Sequence, residues 1–495
     1  MRLNWFSELT RHEQFLLAGF LVVKIALLFI LPLTGDEAYF IHWSKELSLG
    51  YYDHPPMVGW TIWGLSLISD DLYFFRFFAF LSSIVIAMLL FNLAKEVLEE
   101  KYARLISLAY LVSPISMLSV LLANDVVLAF FGFVGFYYYI KAQRTSSVST
   151  ALLAGLLLAF AFLSKYLSAM FFIGIFVYSI INYRKVDWKV ALIVAAIVLL
   201  GIGENIYYNL ENCWNNILFN LVSRTKESGL EIKNVGLLVV TVLVLISPVA
   251  IYHSFKAKKR VDNLAVKVSI YVCLTYLLVF ALVSTSKTVG LHWFALAIPF
   301  VFISLTRIPA DKLSGVFKYA AYVSLVIGVF LVAIVVFSES IFDLKRKHRD
   351  VAFYLNTAEV CEQLPEDDVI FTTGYSTNSV LAYHCPNKTF HVAFDQSKYG
   401  REDDKRVSFA DYSGKDVWVF DKDDDVVDAI AGYFTQTETR SVALQNGTTF
   451  ILVKGSSFNF EKYRSEVLKP VCEQYYNVPD WLPKGKCRFK EKYGF

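Results

Sequence analysis

Residues 13–39 read EQFLLAGFLVVKIALLFILPLTGDEAY, an apolar run that ends at Leu33 and passes directly into an acidic segment. An apolar stretch of about 20 residues is long enough to cross the hydrocarbon core of a bilayer as a helix. It lacks a small-residue cleavage site, so we expect it to be retained as a span. Asp36 and Glu37 follow where this helix would leave the membrane. The stretch therefore predicts a membrane span followed by a polar, acidic loop at the lipid–water interface.

The composition has the same apolar character. Of 495 residues 56% are hydrophobic and 16% are aromatic, and the mean hydropathy is +0.47. A soluble domain would find this apolar content hard to bury. The formal net charge of +3 is small for the length, and the basic residues are scattered among short loops, so nothing favours nucleic acid as a partner. The composition predicts an integral membrane protein.

Further apolar runs follow the first one. They give about eleven predicted spans, near 13–33, 72–93, 104–121, 125–140, 148–164, 166–182, 189–208, 235–255, 268–285, 291–307 and 316–338. Basic residues concentrate in alternate loops, among them Lys95, Lys101, Arg104, Lys141 and Arg144. The opposite loops hold fewer, mainly residues such as Lys45, Lys165 and Lys287. With the N-terminus inside, the positive-inside rule predicts the acidic loop and the C-terminus on the outer face.

The composition turns polar after about residue 340. Short apolar runs at 369–371 and 417–420 predict strands, and 350–364 and 422–434 are helix candidates. The predicted fold class is a polytopic α-helical membrane protein of about eleven transmembrane helices, with an interfacial first outer loop and a C-terminal soluble α/β domain. Residues 1–340 are expected to form the membrane domain and 341–495 the outer domain.

Cysteine positions agree with an oxidising outer compartment, because four of the six lie in the predicted outer domain. We predict the pairs Cys361–Cys385 and Cys472–Cys487, which is one of three connectivities that four cysteines allow. Free buried thiols are the alternative. Cys213 lies in an outer loop, and Cys273 lies within a predicted helix.

A second polar motif, GYYDHPPM at 50–57, ends the acidic segment. Its prolines fix their own φ and restrict the residues before them, which stiffens the backbone around Asp53 and His54. Between the two motifs, residues 40–47 carry aromatic and apolar side chains at helical spacing. This pattern predicts a helix lying in the interface and walling a cavity beside the bilayer. A plain surface helix and solvated loop acids remain alternatives.

Together these motifs resemble the first outer loop of the C-type (GT-C) glycosyltransferases, which include protein O-mannosyltransferases and lipid A aminoarabinose transferases. Ala123-Asn124-Asp125 and Leu163-Ser164-Lys165-Tyr166 add to the likeness, which covers roughly residues 10–310. The resemblance implies a polyprenyl-phosphate sugar as donor, an outer-face acceptor, and Asp36 as the catalytic residue. Asp36 would take a proton from an acceptor hydroxyl as it attacks the anomeric carbon, with inversion. With a phosphate acceptor, Asp36 would position rather than deprotonate.

The leaving lipid phosphate gains negative charge, so cationic side chains near the membrane boundary should bind it. Lysines that only snorkel from helix ends are the alternative. Asp125 suits either a sugar-binding role or a helix N-cap, and the tyrosines near Glu204 suit either sugar stacking or an interfacial aromatic belt. The predicted substrate-binding residues are Glu37, Tyr52, Asp53, His54, Asp125, Lys165, Tyr166, Glu204, Lys287 and His292.

His54 departs from the aminoarabinose transferase pattern, which has a lysine before the corresponding proline. A switchable imidazole there puts phosphate recognition at that position in doubt. Asp53 and His54, with Asp36 or Asp125, are able to hold a divalent cation, but the resemblance implies no required cofactor. No metal is assigned.

The resemblance thus implies a glycosyltransferase that moves one sugar from a polyprenyl phosphate to lipid A, core or another envelope glycan. Membrane lipids and a lipid or glycan acceptor are the expected partners. Protein O-glycosylation is the alternative within the enzyme class. A lipid or sugar transporter or flippase is the alternative of another class, although its charges would line a path near the midplane. A third alternative is an inactive relative whose outer domain binds glycan.

Overall fold

The apolar runs of the sequence fold into helices. The structure is a computed structural model, and it describes residues 9–224, 229–257, 261–338, 345–366 and 368–495. The chain divides into two units: the first comprises Met1–Leu31, Gly64–Gly203 and Ser228–Ala333, and the second comprises Pro32–Trp63, Glu204–Glu227 and Ile334–Phe495. The predicted domain boundary at 340–341 lies outside the described residues.

The first unit is helical. Its helices are Arg11–Ile30, Leu72–Ala94, Glu100–Leu111, Pro114–Leu118, Asn124–Thr145, Val148–Ser164, Ser168–Ile181, Trp188–Glu211, Ile232–Leu245, Pro248–Lys256, Leu264–Ser284, Ala297–Ser304 and Leu313–Val336, the last residues of Trp188–Glu211 and Leu313–Val336 falling in the second unit. Among the described residues, six helices are long and apolar enough to cross a membrane, or seven if one bent pair is a single span. The polytopic helical prediction is confirmed, whereas the predicted number of about eleven spans is not.

Two of the predicted spans are interrupted at a proline. The run 104–121 breaks before Pro114, and the run 235–255 breaks before Pro248, where the two helices meet at 91°. Proline lacks the N–H that would continue the preceding helix, but it fits the first turn of the next one. Ser113 and Ser247 precede these prolines and cap the new helices, their hydroxyls accepting from backbone N–H groups. Local chemistry therefore explains both breaks.

Arg76 and Lys24 are the costly charges inside the apolar helices, and both find partners. Arg76 is fully buried and donates from Nη1 to the carbonyls of Leu28 and Leu31, at 3.0 and 2.7 Å. These carbonyls end the helix Arg11–Ile30, where backbone acceptors lack partners within the helix. Lys24 donates to two serine hydroxyls at 2.7 and 3.0 Å. The guanidinium of Arg76 thus binds the C-terminal end of this helix.

The second unit contains short helices and a sheet. Its helices are Gly35–Lys45, Met57–Ser66 (whose last residues belong to the first unit), Asn215–Leu218, Lys345–Leu355, Thr357–Gln363, Tyr375–His384, Asp403–Arg406, Val426–Ala431, Phe460–Tyr463, Lys469–Tyr475 and Arg488–Tyr493. The helix predicted over 40–47 exists, but it begins earlier, at Gly35. Thr34 provides the N-cap that sets this start.

The sheet has five strands in the order β2-β1-β3-β5-β4. The strands are β1 (Val369–Thr372), β2 (Thr389–Val392), β3 (Val417–Asp421), β4 (Gln436–Ala443) and β5 (Thr449–Ser456). β1 pairs in parallel with β2 and β3, whereas β5 is antiparallel to β3 and β4. The predicted strands at 369–371 and 417–420 are confirmed as β1 and β3, and the C-terminal sheet domain with them.

Two disulfides join the described cysteines, and one of them differs from the prediction. Cys361–Cys385 is present as predicted. The predicted pair Cys472–Cys487 is wrong, because Cys487 bonds to Cys213. Cys472 is a buried free thiol, and Cys273 is a half-buried free thiol. Local sequence could not give the Cys213 pairing, because 274 residues separate the two cysteines. The bond ties the loop after Glu211 to the end of the chain.

Candidate active site

Asp36 lies in the first turn of the helix Gly35–Lys45. The Thr34 hydroxyl accepts from the Glu37 N–H at 3.4 Å, which starts the helix here. Asp36 is exposed, while Gly35 and Glu37 on either side of it are buried. A carboxylate in this position is favoured by the positive end of the helix dipole. The capped helix start thus holds one exposed carboxylate in a defined position within the second unit.

Tyr375, which was not among the predicted site residues, contacts this acid. Its hydroxyl donates to Asp36 Oδ1 at 2.8 Å, and its ring lies 4.9 Å from that of Tyr39. The helix Tyr375–His384 approaches Gly35 so closely that a Cβ there would lie 2.4 Å from Ser376 Cβ. Only glycine, which has no Cβ, allows this approach, so packing against Ser376 explains why the residue before Asp36 is a glycine.

The loop at 50–56 is held by side chains distant in sequence. Glu402 Oε2 accepts from the Tyr52 N–H at 2.6 Å. Asn216 and Asn220 donate through Nδ2 to the carbonyls of Tyr51 and Asp53, both at 2.8 Å. Three consecutive residues of a loop outside helix and sheet thereby gain hydrogen-bond partners, as buried backbone requires. The backbone that carries Asp53 is fixed.

Asp53 itself is buried at 7% exposure. Burial raises its pKa to about 7, and the neighbouring carboxyls of Glu402 and Asp36 act in the same direction. Its Oδ1 atom accepts no hydrogen bond from the described side chains or backbone. Asp53 therefore exchanges its proton close to neutral pH, unlike an ordinary aspartic acid.

A run of six charged residues, 401–406, contacts this loop through Glu402 and was not among the predicted site residues. Glu402 forms an ion pair with Lys405 at 3.0 Å, and Lys405 donates to the Tyr208 hydroxyl at 2.7 Å. Arg401 makes a two-pronged pair with Asp404, at 2.6 and 2.9 Å. Charged runs of this kind are usually solvated, so the sequence alone does not indicate that this one is buried. In the structure Arg401, Glu402 and Asp404 are buried.

Of the other predicted residues of the second unit, Tyr52 and Glu37 are buried, whereas His54 and Glu204 are half-buried. Tyr52 has 0% exposure, and its ring packs against Phe219 and Tyr476 at 5.5 and 5.8 Å. Glu37 is 1% exposed. His54 has its ring 6.2 Å from that of Trp43. Both carboxylate oxygens of Glu204 are buried without a hydrogen-bond partner among the described residues. Substrate contacts by these residues stay a prediction.

The first unit brings together a separate polar cluster. Lys165 Nζ lies 2.9 and 2.8 Å from the two carboxylate oxygens of Asp125, and the pair is nearly buried, at 8% and 10% side-chain exposure. His292 Nε2 lies 4.0 Å from Asp125 Oδ2, and its side chain is 62% exposed. Of the two alternatives for Asp125, the N-cap is wrong, because Ala123 is the N-cap and Asp125 lies in the first turn.

Two further predicted residues belong to the first unit. Lys287 follows the helix Leu264–Ser284. Its backbone N–H donates to the Val283 carbonyl at 2.9 Å. Tyr166 follows Lys165 in a break between helices, and its ring lies 5.9 Å from that of Phe162. Over the described ranges, no group of three His, Cys, Asp or Glu side chains is placed to hold a metal ion. The site residues thus form an acidic group in one unit and an Asp–Lys–His group in the other.

Comparison with known proteins points to one class. A family model described as dolichyl-phosphate-mannose-protein mannosyltransferase matches residues 53–208. A lipid A galacturonosyltransferase, RgtD of Rhizobium johnstonii, is 31% identical over 186 residues, which are 36% of this chain and 38% of that relative. The match therefore spans well under two thirds of the relative's length.

Solved structures share the fold. ArnT from Cupriavidus metallidurans in the apo state superposes with a TM-score of 0.63 at 14% identity, covering 89% of this chain and 97% of that one. The same protein bound to undecaprenyl phosphate gives a TM-score of 0.62 at 15% identity, with the same coverage. These two structures show a shared fold; taken together with the family model and the galacturonosyltransferase relative, they confirm the predicted resemblance to the C-type membrane glycosyltransferases.

Proposed function

We propose that this chain transfers one sugar from a polyprenyl-phosphate donor to lipid A, core or another envelope glycan at the outer face of a bacterial inner membrane. A relative named as a lipid A galacturonosyltransferase supports the acceptor class. A similar fold solved with undecaprenyl phosphate supports the donor class. The positive-inside asymmetry of the loops supports the outer-face location.

The observation that carries the proposal is the exposure and the hydrogen bonding of the Asp36 carboxylate. It is an exposed carboxylate at a helix N-terminus, with Oδ1 engaged by Tyr375 and Oδ2 accepting no hydrogen bond from the described residues. An acceptor hydroxyl bound at Oδ2 gives its proton to Asp36 while its oxygen bonds to the anomeric carbon. The bond from that carbon to the phosphate oxygen breaks, and the polyprenyl phosphate leaves with the electron pair. Attack opposite the leaving group inverts the anomeric centre.

The Asp125, Lys165 and His292 group of the first unit is proposed to bind the donor phosphate. The exposed imidazole of His292 is the accessible member, while Asp125 and Lys165 are almost buried. Lys165 already neutralises Asp125, so an arriving phosphate meets a group without net negative charge. Lys287 is proposed as a second cation for the same phosphate.

The role of Asp36 depends on the acceptor. A sugar hydroxyl has to lose its proton, so a base contributes roughly 10²–10⁴-fold to the rate. A phosphate acceptor is already ionised, so Asp36 would then orient it. We propose no required cofactor; a divalent-cation requirement is tested by comparing turnover with and without a chelator.

The experiment is transfer by the purified full chain in lipid vesicles, with product masses measured by mass spectrometry. Donors are polyprenyl phosphates carrying galacturonic acid, aminoarabinose or a hexose, and acceptors are lipid A and a serine- and threonine-rich peptide. A lipid product of inverted configuration supports the proposal, and a glycopeptide alone would favour the protein O-glycosyltransferase alternative. Asp36→Asn should remove activity, whereas Asp411→Asn, which changes an exposed acid of the same unit, should not.

A further inference from the structure

We propose that Tyr375 is a positioning residue for the catalytic carboxylate, so that the segment after the membrane helices completes the active site. The inference rests on the proposed function, because it assumes that Asp36 is the base. It assigns a role to a residue outside the range covered by the family match, which ends at residue 208.

The contact between the two residues is direct. The Tyr375 hydroxyl donates to Asp36 Oδ1 at 2.8 Å, a normal distance for an O–H···O hydrogen bond. Burial, followed by the charge of Asp36, raises the pKa of Tyr375 well above its ordinary value. The hydroxyl therefore keeps its proton at every working pH and acts only as a donor toward this carboxylate.

The tyrosine ring has little freedom to leave this position. On one side it lies 4.9 Å from the ring of Tyr39. On another it meets the backbone of Gly400, whose φ is +62° and where a Cβ would lie 2.2 Å from Tyr375 Cβ. The neighbouring Ser376 is in close contact with Gly35. A donor held by packing in this way can fix the orientation of the group to which it bonds.

Fixing one oxygen of Asp36 directs the other. A carboxylate on a free side chain rotates about its terminal torsion, which has broad, roughly two-fold preferences. With Oδ1 bound to Tyr375, Oδ2 points in one direction and accepts the proton of the acceptor without reorientation. Tyr375 thus acts through Asp36 and touches neither the sugar nor the phosphate.

The decisive variant is Tyr375→Phe, which removes one oxygen and leaves the ring packing intact. We expect kcat to fall about tenfold, equivalent to about 1.4 kcal/mol in the barrier, with the donor KM and the melting temperature unchanged. The matched control is Tyr412→Phe, which also removes a phenolic hydrogen bond, to His391 at 3.0 Å, but elsewhere in the same unit. It should keep wild-type kcat.

A double-mutant cycle separates positioning from a structural role. In the Asp36→Asn background, adding Tyr375→Phe should change the residual single-turnover rate by less than twofold, because the group it orients is gone. A tenfold further loss would show that Tyr375 acts independently and would overturn the inference. Wild-type kcat in the single variant would overturn it as well. Full activity of Asp36→Asn alone would instead overturn the proposed function.

Discussion

Lys165 places its ammonium within 2.8 and 2.9 Å of both carboxylate oxygens of Asp125, and neither side chain is more than 10% exposed. A pair buried to this degree stabilises the fold only while both charged side chains are present. Removing one partner leaves an uncompensated charge, which costs about 3–5 kcal/mol. The pair is therefore a structural element as well as part of the proposed phosphate site.

Lys165→Ala should lower the melting temperature strongly, because it leaves Asp125 buried and unpaired. The control is Lys233→Ala, which removes an exposed pair with Glu231 in the same unit, at 79% and 47% exposure. Exposed pairs contribute about 0–1 kcal/mol, so this variant should melt near wild type. Replacing both Asp125 and Lys165 by apolar residues should recover stability but not turnover. Equal melting of Lys165→Ala and Lys233→Ala would contradict the prediction.

Gly35→Ala should destabilise the chain, since its Cβ would lie 2.4 Å from Ser376 Cβ. Overpacking of this kind costs about 1–3 kcal/mol. The control is Gly64→Ala in the helix Met57–Ser66, where a Cβ meets nothing within 4 Å. Adding Ser376→Gly to Gly35→Ala removes the two shortest contacts and should restore part of the lost stability. The melting temperatures of the three variants check this prediction. A Gly35→Ala variant as stable as the wild type would show that Gly35 and Ser376 do not approach so closely.

Asp53 should make stability depend on pH. Its pKa is raised from 3.8 to about 7 in the folded chain, so between these values the folded state holds a proton that the unfolded state has released. Stability contributed by this group therefore falls as pH rises from about 4 to about 7 and is constant above. The Asp53→Asn variant does not lose stability in this way. The difference between its melting temperature and that of the wild type should therefore increase from about pH 4 to about pH 7. Parallel curves from pH 4 to 8 would contradict the assignment.

Cys213→Ser should lower stability by about 2–5 kcal/mol, because the disulfide to Cys487 closes a long loop in the unfolded chain. Cys472→Ser, which changes a buried free thiol, should leave the disulfides intact. Peptide mapping without reduction checks both variants. A Cys472–Cys487 peptide in the wild-type digest would contradict the structure.

Local patterns predicted much of the fold. Apolar runs gave the helices, and Val417 to Phe420 gave β3. The hairpin of β4 and β5 was missed although Asn446-Gly447, a strong turn signal, lies at its turn, where Gly447 has a φ of +83°. Here the signal was present in the sequence.

The site was only partly predictable. Asp36 and Asp53 were chosen from local motifs, and both lie in one unit. Tyr375 and Glu402 were missed because they reach these loops over 339 and 350 residues of sequence. No local periodicity encodes such contacts, and a charged run such as 401–406 normally indicates a solvated surface. Only the folded chain shows that it is buried.

The most direct test of the account measures turnover and donor binding separately in Asp36→Asn, with the purified full chain, a polyprenyl-phosphate sugar and a hydroxyl acceptor. Loss of the base should lower kcat by roughly 10²–10⁴-fold while the donor binds with wild-type affinity. Turnover equal to that of the wild-type chain would contradict the central claim that Asp36 is the catalytic base.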